Sequence, residues 1–135
     1  MSAPVEVVAG IVVESKRVLL AQRSRHRSFP LLWEFPGGKV EPGETGEAAL
    51  AREFREELGI EVEPTEIHSR IAYEGSGGRA VRVVFYRAER RSGDPQPLDV
   101  EAVAWFSAEE LDTLDIIPAN LDIIRRLREE MGGSE

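Results

Sequence analysis

Residues 38–60 read GKVEPGETGEAALAREFREELGI, a turn punctuated by glycine and proline that runs into a helical pattern. Leu50, Ala51, Phe54 and Leu58 recur at helical spacing and turn one stripe toward a core. Glu53, Glu56 and Glu57 stand at i, i+3 and i+4. At about 100° per residue their carboxylates share an arc of roughly 100°. Such neighbours repel by about a few tenths of a kcal/mol per pair, which stability alone would not select. A hard divalent cation reverses the balance, and Mg2+ is commonly held by carboxylates together with substrate phosphates. Arg52, four residues before Glu56, can fix a carboxylate in one rotamer. Alone, E-x-x-E-E would be an ordinary solvated acidic face; the preceding turn changes the reading.

That turn is FPGGKVEPGET, residues 35–45. Gly37 and Gly38 let the backbone approach a ligand or take positive φ. Pro42-Gly43 forms a tight turn, Thr45 is a natural N-cap with Glu47 behind it, and Gly59 closes the helix. A loop feeding a helix N-terminus suits an anion, because free amides and the helix dipole point at it.

The fixed positions Gly38, Glu44, Arg52, Glu53, Phe54, Glu56, Glu57, Gly59 and Ile60 resemble the Nudix box in full, over 23 of 135 residues. The stretch LWEFPGGKVEPGE is similar to the MutT branch of that family. The resemblance implies an α/β fold, the Nudix α/β/α sandwich with a mixed β-sheet between helices. It implies hydrolysis of a nucleoside diphosphate linked to a further group, with Mg2+ or Mn2+ as cofactor. Glu53, Glu56 and Glu57 would hold the metal with the backbone at Gly37 and Gly38, and Arg52 with Glu44 would orient them.

Length and composition suit one domain, expected over residues 1–131 with a frayed tail from 132 to 135. The hydrophobic fraction is 41% and the charged fraction 31%, as in soluble globular chains. The longest apolar run, VVAGIVV, is too short to span a bilayer, and no signal-peptide pattern is present, so a cytoplasmic location is expected. No cysteine is available for a disulfide framework. A net charge of −8 argues against long nucleic acid as a partner, and the resemblance implies a small nucleotide as the ligand. Both monomeric and homodimeric states are compatible with the sequence.

Val5–Val13 and Arg17–Gln22 read as strands joined by a turn at Glu14-Ser15-Lys16, and 24–30 as a basic loop. Leu31–Phe35 is extended, Thr45–Leu58 is helical, and Ile60–Val62, Ile67–Tyr73, Ala80–Ala88 and Val100–Phe106 are strands. Gly75–Gly78 is a loose turn, a short helix starts at Ala108–Leu111, and an amphipathic helix spans Leu121–Met131.

Outside the box, Asp99 in LDVEAVAWF takes the place where MutT relatives carry a metal-site glutamate, with Glu101 as its rival. Asn120 in PAN resembles the asparagine that reads a purine edge; an amide offers both donor and acceptor, and the same residue type favours helix N-caps. Arg23 in AQR and Arg79 resemble nucleotide-contacting arginines, and Phe35 offers a ring or backbone edge to a base. His26 and His68 are read as surface residues, Trp33 and Trp105 as core or pocket walls. The resemblance implies attack at the β-phosphorus of a nucleoside triphosphate, giving a monophosphate and pyrophosphate, with Glu53, Glu56 or Asp99 as base. Three readings follow: sanitation of an oxidised nucleotide such as 8-oxo-dGTP, a Nudix activity toward CTP, 5-methyl-dCTP, a nucleotide sugar or ADP-ribose, or a non-catalytic nucleotide-binding module.

Overall fold

The computed structural model describes residues 3–132. Strands β1 (Val5–Ile11), β2 (Val13–Glu14) and β3 (Arg17–Gln22) are followed by β4 (Trp33–Glu34) and β5 (Gly37–Lys39). Helix α1 (Gly46–Leu58) precedes the long hairpin of β6 (Glu61–Glu74) and β7 (Ala80–Ser92). Strand β8 (Ala102–Ser107), α2 (Ala108–Leu111) and α3 (Leu121–Gly132) complete the chain.

The strands divide into two sheets rather than the single one expected. One has the order β5-β1-β7-β6 and is mixed: β1 and β7 are parallel, with Val8 opposite Val84, and the other pairs are antiparallel. In the second, β3 pairs with β2, β4 and β8, all antiparallel.

Alternation along the strands builds two cores. Val8 and Val12 face α1 with Leu19 and Tyr86, and meet Leu50, Phe54 and Leu58. Ala9, Ile11, Val18, Leu20 and Phe85 point the other way and meet Ile123, Ile124 and Leu127 of α3. Strands buried on both faces read as continuous apolar runs, which is why VVAGIVV does not alternate. The helices thus cover opposite faces, giving the expected α/β/α sandwich.

The expected strands at Ile60–Val62 and Ile67–Tyr73 are one strand, β6, continued through irregularities at Glu61/Val62, Pro64/Glu66 and Ile67/Ser69. Bulges let Pro64 and the polar residues around it stay in an edge strand. Strand β7 outruns Ala88 because Arg91 pairs across the hairpin with Glu63. Gly132 ends α3 instead of opening a tail; residues 1–2 and 133–135 lie outside the described part.

Candidate active site

The glycine pair does not form a turn. Gly37 and Gly38 belong to β5, pair with Ala9 and Val8, and have no positive φ. Their need for glycine is steric: a Cβ on Gly37 would stand 2.0 Å from the Val8 carbonyl oxygen, and one on Gly38 would stand 2.4 Å from Oε2 of Glu53. The turn comes later, where the Glu44 amide donates to the Glu41 carbonyl at 3.0 Å and Gly43 has φ 81°. Thr45 caps α1 by accepting from the Ala48 amide at 3.1 Å, and Gly59, at φ 70°, closes it. The helix N-terminus does not line the cleft; Gly46 packs instead against the Tyr86 hydroxyl, so it is not the anion site expected.

Arg52 spends all five of its N–H donors inside the box. Two go to Glu44 at 2.7 and 3.1 Å, one to Glu53 at 3.1 Å, one to Glu56 at 3.2 Å and one to the Lys39 carbonyl at 3.0 Å. Glu44 is held well below the ordinary carboxylate range, first by Arg52 and then by the Glu41 amide. One guanidinium therefore ties the turn, the strand and the acidic face of α1 into a single unit.

Glu53, Glu56, Glu57 and Asp99 line a cleft of about 570 Å³. Burial, then contact with Glu53, then repulsion from Glu34 push the Glu57 carboxyl up to about 9, against the Gly37 amide. Among the described residues no three acids are already drawn together as a metal cage, and Glu56 is turned toward Arg52. The donor set nevertheless fits a hard divalent ion. Burial and the nearness of Glu53 make the ionised Glu57 carboxyl unfavourable, and a cation beside it would relieve that.

Asp99 is delivered to the cleft by the end of α1. The Leu98 and Asp99 amides donate to the Glu57 carbonyl at 3.0 and 3.2 Å, and the Gln96 amide donates to that of Leu58 at 2.9 Å. These bonds satisfy carbonyls that the helix leaves open. They also explain why β8 starts at Ala102 rather than Val100. Glu101 is not part of the cleft lining and pairs with Arg25 at 2.7 Å.

Asn120 is buried, and its Oδ1 accepts from the Phe35 amide at 2.9 Å. It does not cap α3. Its amide NH2 has no hydrogen-bond partner among the described residues and borders the cleft, so the side chain presents a donor there. The Phe35 ring packs edge-on against Phe85 in the core, and its amide is the part engaged in the site. Arg23 borders the cleft and donates to Glu34 and to Ser28, which anchors the 24–30 loop. Arg79 lies outside the cleft and donates to the Ala3 carbonyl. His26 is exposed, as expected, but His68 is not on the surface: it lies between Ser69, at 2.7 Å, and Glu130, at 3.0 Å, tying β6 to α3. Trp33 packs edge-on against Phe106, and neither tryptophan lines the cleft.

The structure adds Glu34, Arg27, Lys39 and Tyr73 to the cleft lining. Glu34 was readable as a lone acid between Trp33 and Phe35. Burial raises its carboxyl above the usual range, with Arg23 and then Arg27 opposing. No helix among the described residues is long and apolar enough to cross a membrane.

Comparison with known proteins agrees with this geometry. A family profile described as the NUDIX domain matches residues 4–127. A Mycobacterium tuberculosis protein, named provisionally as 8-oxo-dGTP diphosphatase 2, is 40% identical over 95% of this chain and 91% of its own. The CTP pyrophosphohydrolase of Escherichia coli is 38% identical over 89% and 88%. The crystal structure of a MutT NUDIX hydrolase from Burkholderia pseudomallei superposes with a TM-score of 0.80 at 28% identity, covering 95% of this chain and 98% of that one.

Proposed function

The chain belongs to the NUDIX family, and on that premise we propose that it is a metal-dependent nucleoside triphosphate pyrophosphohydrolase of the MutT type, releasing a nucleoside monophosphate and pyrophosphate. The observation that carries the reading is the Arg52 clamp, which is braced by Glu44 and holds Glu53 and Glu56 beside the half-buried Glu57 on one wall of the cleft. Glu53, Glu56 and Glu57, with Asp99 and the backbone of Gly37 and Gly38, would hold Mg2+ or Mn2+. Bound there, the ion supplies positive charge to the phosphates and makes a water more acidic.

The residues divide the remaining work. Arg52 keeps Glu53 and Glu56 in fixed rotamers, so less ordering is left for the moment of reaction. Glu53, Glu56 or Asp99 takes the proton of the attacking water. The Asn120 NH2 donates to an acceptor on the base edge, while its Oδ1 holds the Phe35 amide in place. A donor there suits a purine carbonyl or a pyrimidine one.

An oxidised purine such as 8-oxo-dGTP is the first reading, supported by the name of the Mycobacterium tuberculosis relative. CTP is the second, supported by the Escherichia coli relative at nearly the same identity. A hydrolysis panel of 8-oxo-dGTP, dGTP, CTP, 5-methyl-dCTP and ADP-ribose at fixed Mg2+ separates them by kcat/KM. Turnover of 8-oxo-dGTP well above the others supports the first reading; preference for CTP replaces it, and absence of all turnover removes the enzymatic reading.

A further inference from the structure

Four cationic side chains border the cleft: Arg23, Arg27, Lys39 and Arg52. Arg52 has no donor left, and Arg23 is turned to Glu34 and Ser28. Lys39 is shared with a neighbouring hollow beside Glu41 and Arg79. The Arg27 amide donates to the Ser24 carbonyl at 3.2 Å, but its guanidinium makes no hydrogen bond or ion pair among the described residues, although its charge reaches the Glu34 carboxylate. An arginine left unpaired beside six cleft acids calls for explanation, since a guanidinium readily takes a carboxylate partner.

The loop that carries it is held on both sides. Arg25 pairs with Glu101 at 2.7 Å, and its amide also reaches that carboxylate. Arg23 donates to the Ser28 carbonyl at 2.7 Å and to its hydroxyl at 3.0 Å. Beyond Ser28, Phe29 and Leu31 take φ of 51° and 65°, a region that bulky side chains avoid. Such strain persists only where surrounding contacts over-determine it. Here those contacts are the Leu31 amide on the Arg23 carbonyl and the Gln22 side chain on the Leu31 carbonyl. The stapled loop holds Arg27 at the cleft without giving its guanidinium a partner among the described residues.

We propose that Arg27 is a substrate-binding residue that grips the polyphosphate tail of the nucleotide, an assignment that rests on the pyrophosphohydrolase reading above. A triphosphate keeps net negative charge after taking up a divalent ion, and Arg27 offers a planar, always-charged fork to non-bridging oxygens. The cleft's acids hold the metal, and Arg27 holds the charge that the metal leaves over.

Arg27→Gln and Arg27→Lys test this by steady-state kinetics, product inhibition and direct titration with a nonhydrolysable nucleoside triphosphate. Arg27→Gln is expected to raise KM and the analogue's Kd about tenfold, or about 1.4 kcal/mol, with kcat little changed. Inhibition by pyrophosphate should weaken by a similar factor while inhibition by the monophosphate stays as in wild type, and Arg27→Lys should recover most of the loss. Unaltered KM in Arg27→Gln, or equal weakening of monophosphate and pyrophosphate, overturns the assignment while wild-type turnover leaves the parent reading intact. Wild-type protein with no triphosphate turnover removes both.

Discussion

The backbone amide of Phe35 donates to Oδ1 of Asn120 at 2.9 Å, across 85 positions of sequence. That bond joins the strand entering the glycine pair to the start of α3, and it fixes which end of the Asn120 amide faces the cleft. Asn120→Ala leaves the Phe35 amide unpaired and should cost about 1–3 kcal/mol of stability. Asn120→Asp keeps the acceptor and loses the donor. It should unfold close to wild type in urea yet show a raised KM, with discrimination between purine and pyrimidine triphosphates altered. Unchanged selectivity in Asn120→Asp would remove Asn120 from base recognition.

Adjacent glycines separate stability from chemistry. A Cβ on Gly37 meets the Val8 carbonyl, part of the backbone, whereas one on Gly38 meets the end of the Glu53 side chain. Gly37→Ala should therefore destabilise the fold by about 1–3 kcal/mol. Gly38→Ala should remain folded while the displaced Glu53 lowers kcat by about a hundredfold. Circular dichroism melts beside kinetics distinguish the two.

Asp99 and Glu101 are two residues apart but serve different ends. Asp99→Asn should lower kcat by about a hundredfold, the loss of a metal-site acid or base. Glu101→Gln only loosens the exposed Arg25 pair and should stay within about threefold of wild type. The reverse order of effects would give Glu101 the role assigned to Asp99.

Among the acid-sensitive contacts, one lies at the junction of the two sheets. Glu14 in β2 accepts from Arg90 in β7 at 2.8 and 2.9 Å, and that bonding lowers its carboxyl below 4.5. The unfolded chain then binds the proton more readily, so this contribution is present above 4.5 and lost as pH falls through the lowered value. Urea midpoints measured from about pH 5 down to 3 should fall more steeply for wild type than for Glu14→Gln. Parallel curves would contradict it.

The box was legible because its constraints are local. Helical spacing put Glu53, Glu56 and Glu57 on one face, Thr45 carried its capping oxygen in its own side chain, and Gly59 took the left-handed φ that ends a helix. What the sequence hid depends on distant partners. Nothing near Arg79 says that it will bond Ala3, nothing near Arg23 that Glu34 will absorb it, and nothing near His68 that α3 will cover it. Gly37 and Gly38 read as a turn because glycine is ambiguous: the reason for it here is crowding by Val8 and Glu53, visible only once the strands are assembled.

Glu57 tests the central claim, that the acids on one face of α1 exist to hold a divalent ion. Burial and the neighbouring Glu53 push its carboxyl up, so without metal the protonated form is favoured there. Glu57→Gln, close in shape and charge to that form, should melt like wild type in chelator. Titrating Mg2+ against the melting temperature is then decisive: wild type should be stabilised and Glu57→Gln should not respond, with its Mg2+-dependent turnover abolished. A Glu57→Gln protein with the wild-type Mg2+ response and wild-type turnover would contradict the account.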